Sequence, residues 1–252
     1  GGPLAVLIIA IVAAELGKAV SKETKIDILA TPLVTIFAGV GLSMLIAAPI
    51  GAAASQVGTL IMWATEQAPL VMGILVSVIV GVALTLPISS AAICAALGLT
   101  GLAGGAAVAG CCAQMVGFAV MSYKENGVGG LVSQGLGTSM LQMGNIIKNP
   151  RIWIAPTLAS AITGPLATCL FHFEMNGAAV SSGMGTCGLV GQIGVYTGWV
   201  NDIAAGTKAA ITPMDWAAML LICFVLPAVL SVVFCEIERK LGWIKEGDLK
   251  LN

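Results

Sequence analysis

Charged residues are scarce in this sequence: Asp, Glu, Lys and Arg make up 9% of its 252 residues, against roughly 25% in an ordinary soluble domain. Aromatic residues are also few, at 5%, whereas hydrophobic residues reach 58% and glycine alone contributes 32 residues. Such a composition indicates an integral membrane protein whose helices approach closely through small side chains. The net charge of −1 and the scattered basic residues leave no patch for nucleic acid, which excludes that class of protein.

Motifs of soluble catalysis are also lacking. The sequence has one histidine, His172, and contains no G-x-S-x-G, H-E-x-x-H or G-x-x-x-x-G-K-[ST] pattern. Its seven cysteines lie within or beside apolar runs and form no C-x-x-C pair, so we expect buried free thiols instead of disulfides or a zinc site. We therefore predict no catalytic residue, no metal site and no cofactor.

What the sequence does contain is a series of uninterrupted apolar runs, which favour transmembrane helices over a β-barrel. The predicted fold class is an all-α polytopic membrane protein, built as a helix bundle. The chain begins Gly1-Gly2-Pro3 without a basic n-region, so we expect one transmembrane domain over 1–252 that lacks an N-terminal part. The predicted crossings are residues 3–20, 29–50, 69–86, 152–173 and 216–234, with residues 51–67 forming an outer turn.

Lysine and arginine concentrate in segments 18–25, 124–151 and 239–250, and the positive-inside rule assigns these segments to the cytoplasmic side. The uncharged residues 87–123 must then enter and leave on the inner side, and residues 177–199 on the outer side. We therefore predict two re-entrant hairpin segments, the first broken at residues 101–105. A weak echo at an offset of 78 residues, pairing Gly110 with Gly188 and Gln114 with Gln192, would make them an inverted repeat of the kind found in secondary transporters.

Polar side chains collect in the stretch 149–199, although its background stays apolar. Neutral donors and acceptors with one carboxylate suit a sugar or polyol, whose hydroxyl groups both donate and accept hydrogen bonds. Two alternatives stay open. His172 and Glu174 could simply sit at the outer interface. Gln114 and Gln192 could make structural hydrogen bonds between helices. The predicted substrate-binding residues are His172, Glu174, Asn176, Ser181, Ser182, Thr186, Gln192 and Gln114.

The run NPRIWIAPTLASAITGPLATCLF, followed by GMGTCGLVGQIG, resembles the membrane subunit of bacterial phosphotransferase-system permeases, in the enzyme IIC subgroup that includes the perfringolysin regulators. The resemblance implies a homodimeric permease of the bacterial inner membrane, with re-entrant hairpins, that moves a sugar for phosphorylation by a cytoplasmic IIB protein. In such proteins a histidine and a glutamate near the hairpins hold the sugar. His172 and Glu174 are the only pair of this kind here.

Three functions are therefore weighed. The first is a sugar permease working by alternating access, which would be at most the membrane subunit of an enzyme because no IIA or IIB domain is attached. The second is a membrane-embedded sensor that signals through the inner segment 124–151 without transport. The third, an ion or metal transporter, is weaker because Glu174 is the main candidate acid within the apolar core.

Overall fold

The computed structural model describes residues 3–23 and 26–251, and these are helical with no β-strand. The predicted all-α fold class is therefore confirmed. Short 3₁₀ or π turns interrupt several of the helices, at 133–142, 150–153, 166–170, 179–189 and 221–225. The helices are α1 (Pro3–Val20), α2 (Asp27–Gln67), α3 (Pro69–Thr85), α4 (Ser90–Leu97), α5 (Gly101–Met121), α6 (Tyr123–Val132), α7 (Met143–Lys148), α8 (Ile154–Pro165), α9 (Val190–Ala204), α10 (Pro213–Leu220) and α11 (Leu226–Lys240).

Four helical segments within the described residues are long and apolar enough to cross a membrane. A fifth, α3, is apolar but shorter. Together with the composition, these segments make the chain a multi-pass membrane protein. The four long segments are Asp27–Gln67, Gly101–Met121, Pro150–Leu170 and Pro213–Lys240.

Helix α5 forms the centre of the bundle, and nearly all of its side chains are buried. A helix that is apolar and small on every face can be surrounded by others, and here α3, α8 and α11 pack around it. Helix α5 approaches α3 closely at a glycine, because a Cβ at Gly110 would overlap the carbonyl oxygen of Ser77 in α3. The Ser77 hydroxyl in turn donates to the Ser160 carbonyl of α8 at 2.8 Å.

The contacts define two ends of the bundle. At one end, which we call the outer end, the Thr168 hydroxyl after α8 donates to the Pro69 carbonyl at the start of α3. At the other, the inner end, Arg239 of α11 donates to Glu125 of α6 at 2.7 Å. Helices α3, α5 and α11 run from the outer to the inner end, and α8 runs back. The inner end holds the basic segments 124–151 and 239–250, two of the three segments that the sequence assigns to the cytoplasmic side. Residues 24–25 of the third segment, 18–25, lie outside the described residues, and the cytoplasmic orientation stays a prediction.

One local prediction is wrong, and a second is displaced by a few residues. Residues 51–67 do not form a turn, because α2 continues as one helix of 41 residues to Gln67, with Pro32 and Pro49 inside it. At 1.5 Å per residue it is roughly 60 Å long, about twice the hydrocarbon core of a bilayer, so it must lie tilted or extend beyond the membrane. The break predicted at residues 101–105 lies a few residues earlier. Helices α4 and α5 are joined at residues 98–101, where Gly98 and Gly101 have φ values of +64° and +61°.

The predicted outer re-entrant segment returns to the end of the bundle from which it leaves. Residues 177–186 run inward until Thr186 donates to the Gly135 carbonyl of the inner segment at 2.5 Å. Helix α9 then runs back outward, and Gly198 packs against the backbone of Asn176. A re-entrant position in the membrane stays a prediction for both segments, and so does the inverted repeat. At one pair of the echo the backbones differ, because Gly110 lies inside a helix and Gly188 has a φ of +52°.

Candidate functional site

A cavity of about 470 Å³ opens at the outer end of the bundle. Its volume falls within the range of roughly 300–1,000 Å³ typical of small-molecule sites. Three parts of the chain meet there: the segment after α8, the end of α9, and the connection from α9 into α10. The lining residues are Phe171, His172, Phe173, Glu174, Asn176, Trp199, Asp202, Thr207, Lys208, Asp215 and Ala218.

The segment 172–176 is held in place by α5. Met175 exchanges two backbone hydrogen bonds with Gly101, at 3.0 and 3.1 Å. Glu174 and Asn176 line the cavity while Met175 between them is buried, as alternate residues of an extended stretch do. His172 reaches the cavity differently, because its backbone is left-handed with a φ of +44°, and the buried Phe173 also lines the cavity. The sequence HFEMN thus places three polar side chains at the cavity.

Asn176 links two of the acids in this wall. Its side-chain nitrogen donates to Glu174 Oε2 and to Asp202 Oδ2, each at 2.9 Å. An amide N–H bonded to a carboxylate is stronger than a neutral pair. These bonds fix the two carboxylates relative to each other and leave their remaining oxygen atoms available to a ligand.

The opposite wall carries the one cationic lysine of the cavity. Lys208 donates to Asp215 Oδ1 at 2.8 Å and lies 5.9 Å from the centroid of the Trp199 ring. Asp215 is also fixed from the other side, because it closes a capping box with Thr212 at the start of α10. The ring of Trp216 packs edge-on against the ring of Trp199, with 5.5 Å between the ring centroids. Lysine, acid and aromatic ring are thus positioned before any ligand arrives.

Sequence reasoning missed Trp199, Asp202, Lys208 and Asp215 as site residues. It treated residues 201–215 as a polar link between helices. One local signal was present: Thr212 followed three residues later by Asp215 is a capping pattern that predicts a helix start with a fixed carboxylate. The approach of this link to His172 and Glu174 is a tertiary feature that no local pattern contains.

The other predicted site residues lie away from this cavity. Ser182 donates to the Leu99 carbonyl at 2.7 Å, and Gln192 donates to Cys112 Sγ at 3.2 Å. Ser181 is buried beside α9, and Thr186 makes the Gly135 contact described above. Their placement fits a role in holding the outer segment against α5 and the inner segment, and their role in binding stays a prediction.

Gln114 is fully buried in a separate polar cluster. Its carbonyl oxygen accepts from Trp153 Nε1 at 2.9 Å and from the Thr85 hydroxyl at 3.2 Å. Its nitrogen donates to Thr157 Oγ1 at 3.2 Å. These bonds tie α3, α5 and the start of α8 together toward the inner end of the bundle, which is the structural alternative considered from the sequence.

The charge of the outer cavity is unbalanced. Three carboxylates, from Glu174, Asp202 and Asp215, face one ammonium group from Lys208 and the imidazole of His172. Such a site accepts hydrogen bonds from hydroxyl groups and disfavours anionic solutes. Within the described ranges, no group of three or more His, Cys, Asp or Glu side chains is arranged to hold a metal ion.

Comparison with known proteins assigns the family. The sequence model of the family described as "Phosphotransferase system, EIIC" matches residues 1–251. No curated protein and no solved structure matches the chain. The subgroup of perfringolysin regulators therefore stays a prediction. The chain belongs to the phosphotransferase system EIIC family of membrane permeases.

Proposed function

We propose that this protein moves a sugar across the membrane by alternating access and that the outer cavity receives the sugar from the extracellular side. The observation that carries the proposal is the convergence of His172, Glu174 and Asn176 on one cavity wall. These residues face Trp199 and Lys208 across a space of about 470 Å³. Family membership supports a sugar as the solute.

The cavity chemistry suits a neutral polyhydroxyl ligand. The oxygen atoms of Glu174 and Asp202 accept hydrogen bonds from sugar hydroxyl groups, and Lys208 donates to them. Trp199 lines the cavity but is only 6% exposed, so it contributes a small apolar contact to the sugar. Three existing hydrogen bonds, two from Asn176 to the acids and one from Lys208 to Asp215, reduce the ordering that binding requires.

The outer segment, residues 177–199, provides the route by which the bound sugar leaves toward the cytoplasm in the second half of the transport cycle. Its inward tip meets the inner segment through Thr186 and Gly135. Left-handed backbone at Gly185, Gly188 and Leu189 concentrates unusual conformations at the same tip. Separation of the tip from the inner segment would open the path toward the cytoplasm while the outer cavity closes.

Partners and location follow from the family and belong to the proposal. We infer that a cytoplasmic IIB protein phosphorylates the sugar at the inner end, that two copies form a homodimer, and that the protein resides in the bacterial inner membrane. The acidic outer cavity fits this direction of transport, because a neutral sugar enters readily and a phosphorylated one would be repelled.

Tryptophan fluorescence provides a binding test in detergent. We expect unlabelled sugars to change the emission of Trp199 and Trp216 in a saturable way, and Glu174→Gln to weaken the response. Glu66→Gln is the matched control, because Glu66 is exposed at the end of α2, outside the cavity. A saturable response that Glu174→Gln leaves unchanged would remove this cavity from the proposal.

A further inference from the structure

One face of α11 carries three buried polar side chains. Ser231, Cys235 and Glu238 are spaced four and three residues apart, which places them in line along a helix. Their exposed fractions are 0%, 2% and 4%. This line lies far from the outer cavity, at the inner end, and the proposed sugar site does not use it.

Glu238 differs from the other acids of this end because its carboxyl group has no partner. Neither oxygen accepts or donates a hydrogen bond within the described part of the chain. The neighbouring acids are paired: Glu125 binds Arg239 and Glu236 binds Lys124, each at 2.7 Å. Arg239 and Lys124, the basic residues of these two pairs, are therefore already engaged by other carboxylates.

The surroundings offer Glu238 no counter-charge. Cys235, one turn away, belongs to an apolar cluster formed by side chains of α5, α7, α8 and the segment 241–251. On its face of α11 the neighbouring titratable side chain is the Cys235 thiol, and Glu125 and Arg239 form their own ion pair at 2.7 Å. The members of the cluster contributed by other elements are Phe118, Met121, Ile146, Ile152, Ala155, Ile244 and Leu249.

An isolated carboxylate buried in such a place would cost several kcal/mol, whereas the neutral acid costs far less. We propose that Glu238 is a proton-binding site and that its side chain holds one proton in this conformation. The reaction is simple addition of a proton from water to the carboxylate, with no other bond made or broken. The ligand of this site is therefore the proton, and no metal cation is required.

The segment 241–251 begins beside Glu238, where the Trp243 N–H donates to the Glu238 backbone carbonyl at 2.9 Å. Its residues Ile244 and Leu249 are buried in the same cluster as Cys235. Asn126 and Gln142 donate to the Leu249 carbonyl at 2.8 and 3.0 Å, which holds the segment down. If the segment lifts, water reaches Glu238 and the carboxyl group can ionise. Proton release is thereby coupled to opening of the inner end, whichever solute the outer cavity binds.

Infrared spectroscopy of the purified full chain tests the proposal directly, because a protonated carboxyl group has a C=O stretch distinct from that of a carboxylate. At about pH 7, where an ordinary glutamate is ionised, the wild-type spectrum should contain this band. Glu238→Gln should lose it. The control Glu246→Gln should keep it, since Glu246 is exposed on the segment 241–251.

Thermal unfolding measured at several pH values is a second test, and it includes a second variant, Glu238→Leu. A folded state that holds an extra proton loses stability as the pH rises through the range in which that proton leaves. We expect the wild type to show this loss, and both Glu238→Gln and the apolar Glu238→Leu to show less of it than Glu246→Gln. A wild-type spectrum without the protonated band, or one that Glu238→Gln leaves intact, would show that Glu238 is ionised or solvated and would overturn the proposal.

Discussion

Asn176 is the residue on which the geometry of the outer cavity depends most. It is the single side chain that donates to both Glu174 and Asp202, so the two acids are spaced by one amide group. Glu174 is exposed, which lets solvent weaken its bond, whereas Asn176 and Asp202 are half-buried. Asn176 and Asp202 are therefore held more firmly than the exposed Glu174, whose side chain can move to fit a ligand.

Replacing this amide by a carboxylate should disrupt the wall without changing its size. In Asn176→Asp the two donated bonds disappear and three carboxylates face one another. Hydrogen bonds to charged groups are worth about 1.5–3 kcal/mol each, so we expect sugar affinity to fall roughly tenfold or more. Asn201→Asp is the control, since Asn201 is exposed on α9 and its side chain makes no described bond. Equal affinity in the two variants would contradict the role given to Asn176.

At the scale of elements, the cavity wall depends on a glycine of α5 that lets the backbone of Phe173 pack closely against this helix. A Cβ at Gly105 would overlap the carbonyl oxygen of Phe173, so the cavity wall can lie against α5 only where a side chain is missing. Overpacking of this kind costs about 1–3 kcal/mol. We predict that Gly105→Ala lowers the melting temperature and weakens sugar binding together. Gly144→Ala is the matched control, because nothing lies within 4 Å of its added methyl group, and both quantities should stay near wild type.

The tip of the outer segment provides a second test at this scale. Thr186→Val keeps the shape of the side chain but removes the donor to Gly135, which is expected to cost about 1 kcal/mol. We expect a lower midpoint of thermal unfolding. In Thr197→Val the lost bond lies within α9 and comes from an exposed residue, whereas Thr186 is fully buried, so the effect should be smaller. A larger loss in Thr197→Val would show that the contact between the outer and inner segments contributes little.

How far the sequence predicts these elements depends on the residue type involved. Helices α3, α8 and α11 follow directly from long apolar runs in the sequence. The continuation of α2 past Ile50 does not, because an uncharged Gly- and Ala-rich stretch fits a turn as well as a helix. The glycines at 101–105 were interpreted as a break, whereas Gly105 serves close packing against Phe173. Trp199, Asp202, Lys208 and Asp215 reach the cavity through tertiary contacts, which local patterns do not encode.

At the scale of the whole molecule, charge and geometry divide the chain into two ends. The inner end holds the segments 124–151 and 236–251 in mutual contact, and the outer end holds the cavity. We predict that Ala209→Cys and Glu246→Cys, each in a background without the native cysteines, react with a membrane-impermeant maleimide from opposite sides. Both positions are exposed. Labelling of both from one side would contradict the orientation on which the transport direction depends.

Uptake of labelled sugars into proteoliposomes tests the central claim most directly. A panel of sugars and polyols is offered to the wild type, to Glu174→Gln and to the control Glu66→Gln, with sugar phosphates as anionic competitors. We predict facilitated uptake of at least one neutral sugar by the wild type and by Glu66→Gln, its loss in Glu174→Gln, and little competition from the phosphates. Saturable binding without uptake of any sugar would contradict simple transport, and uptake that Glu174→Gln leaves unchanged would contradict the assignment of the cavity.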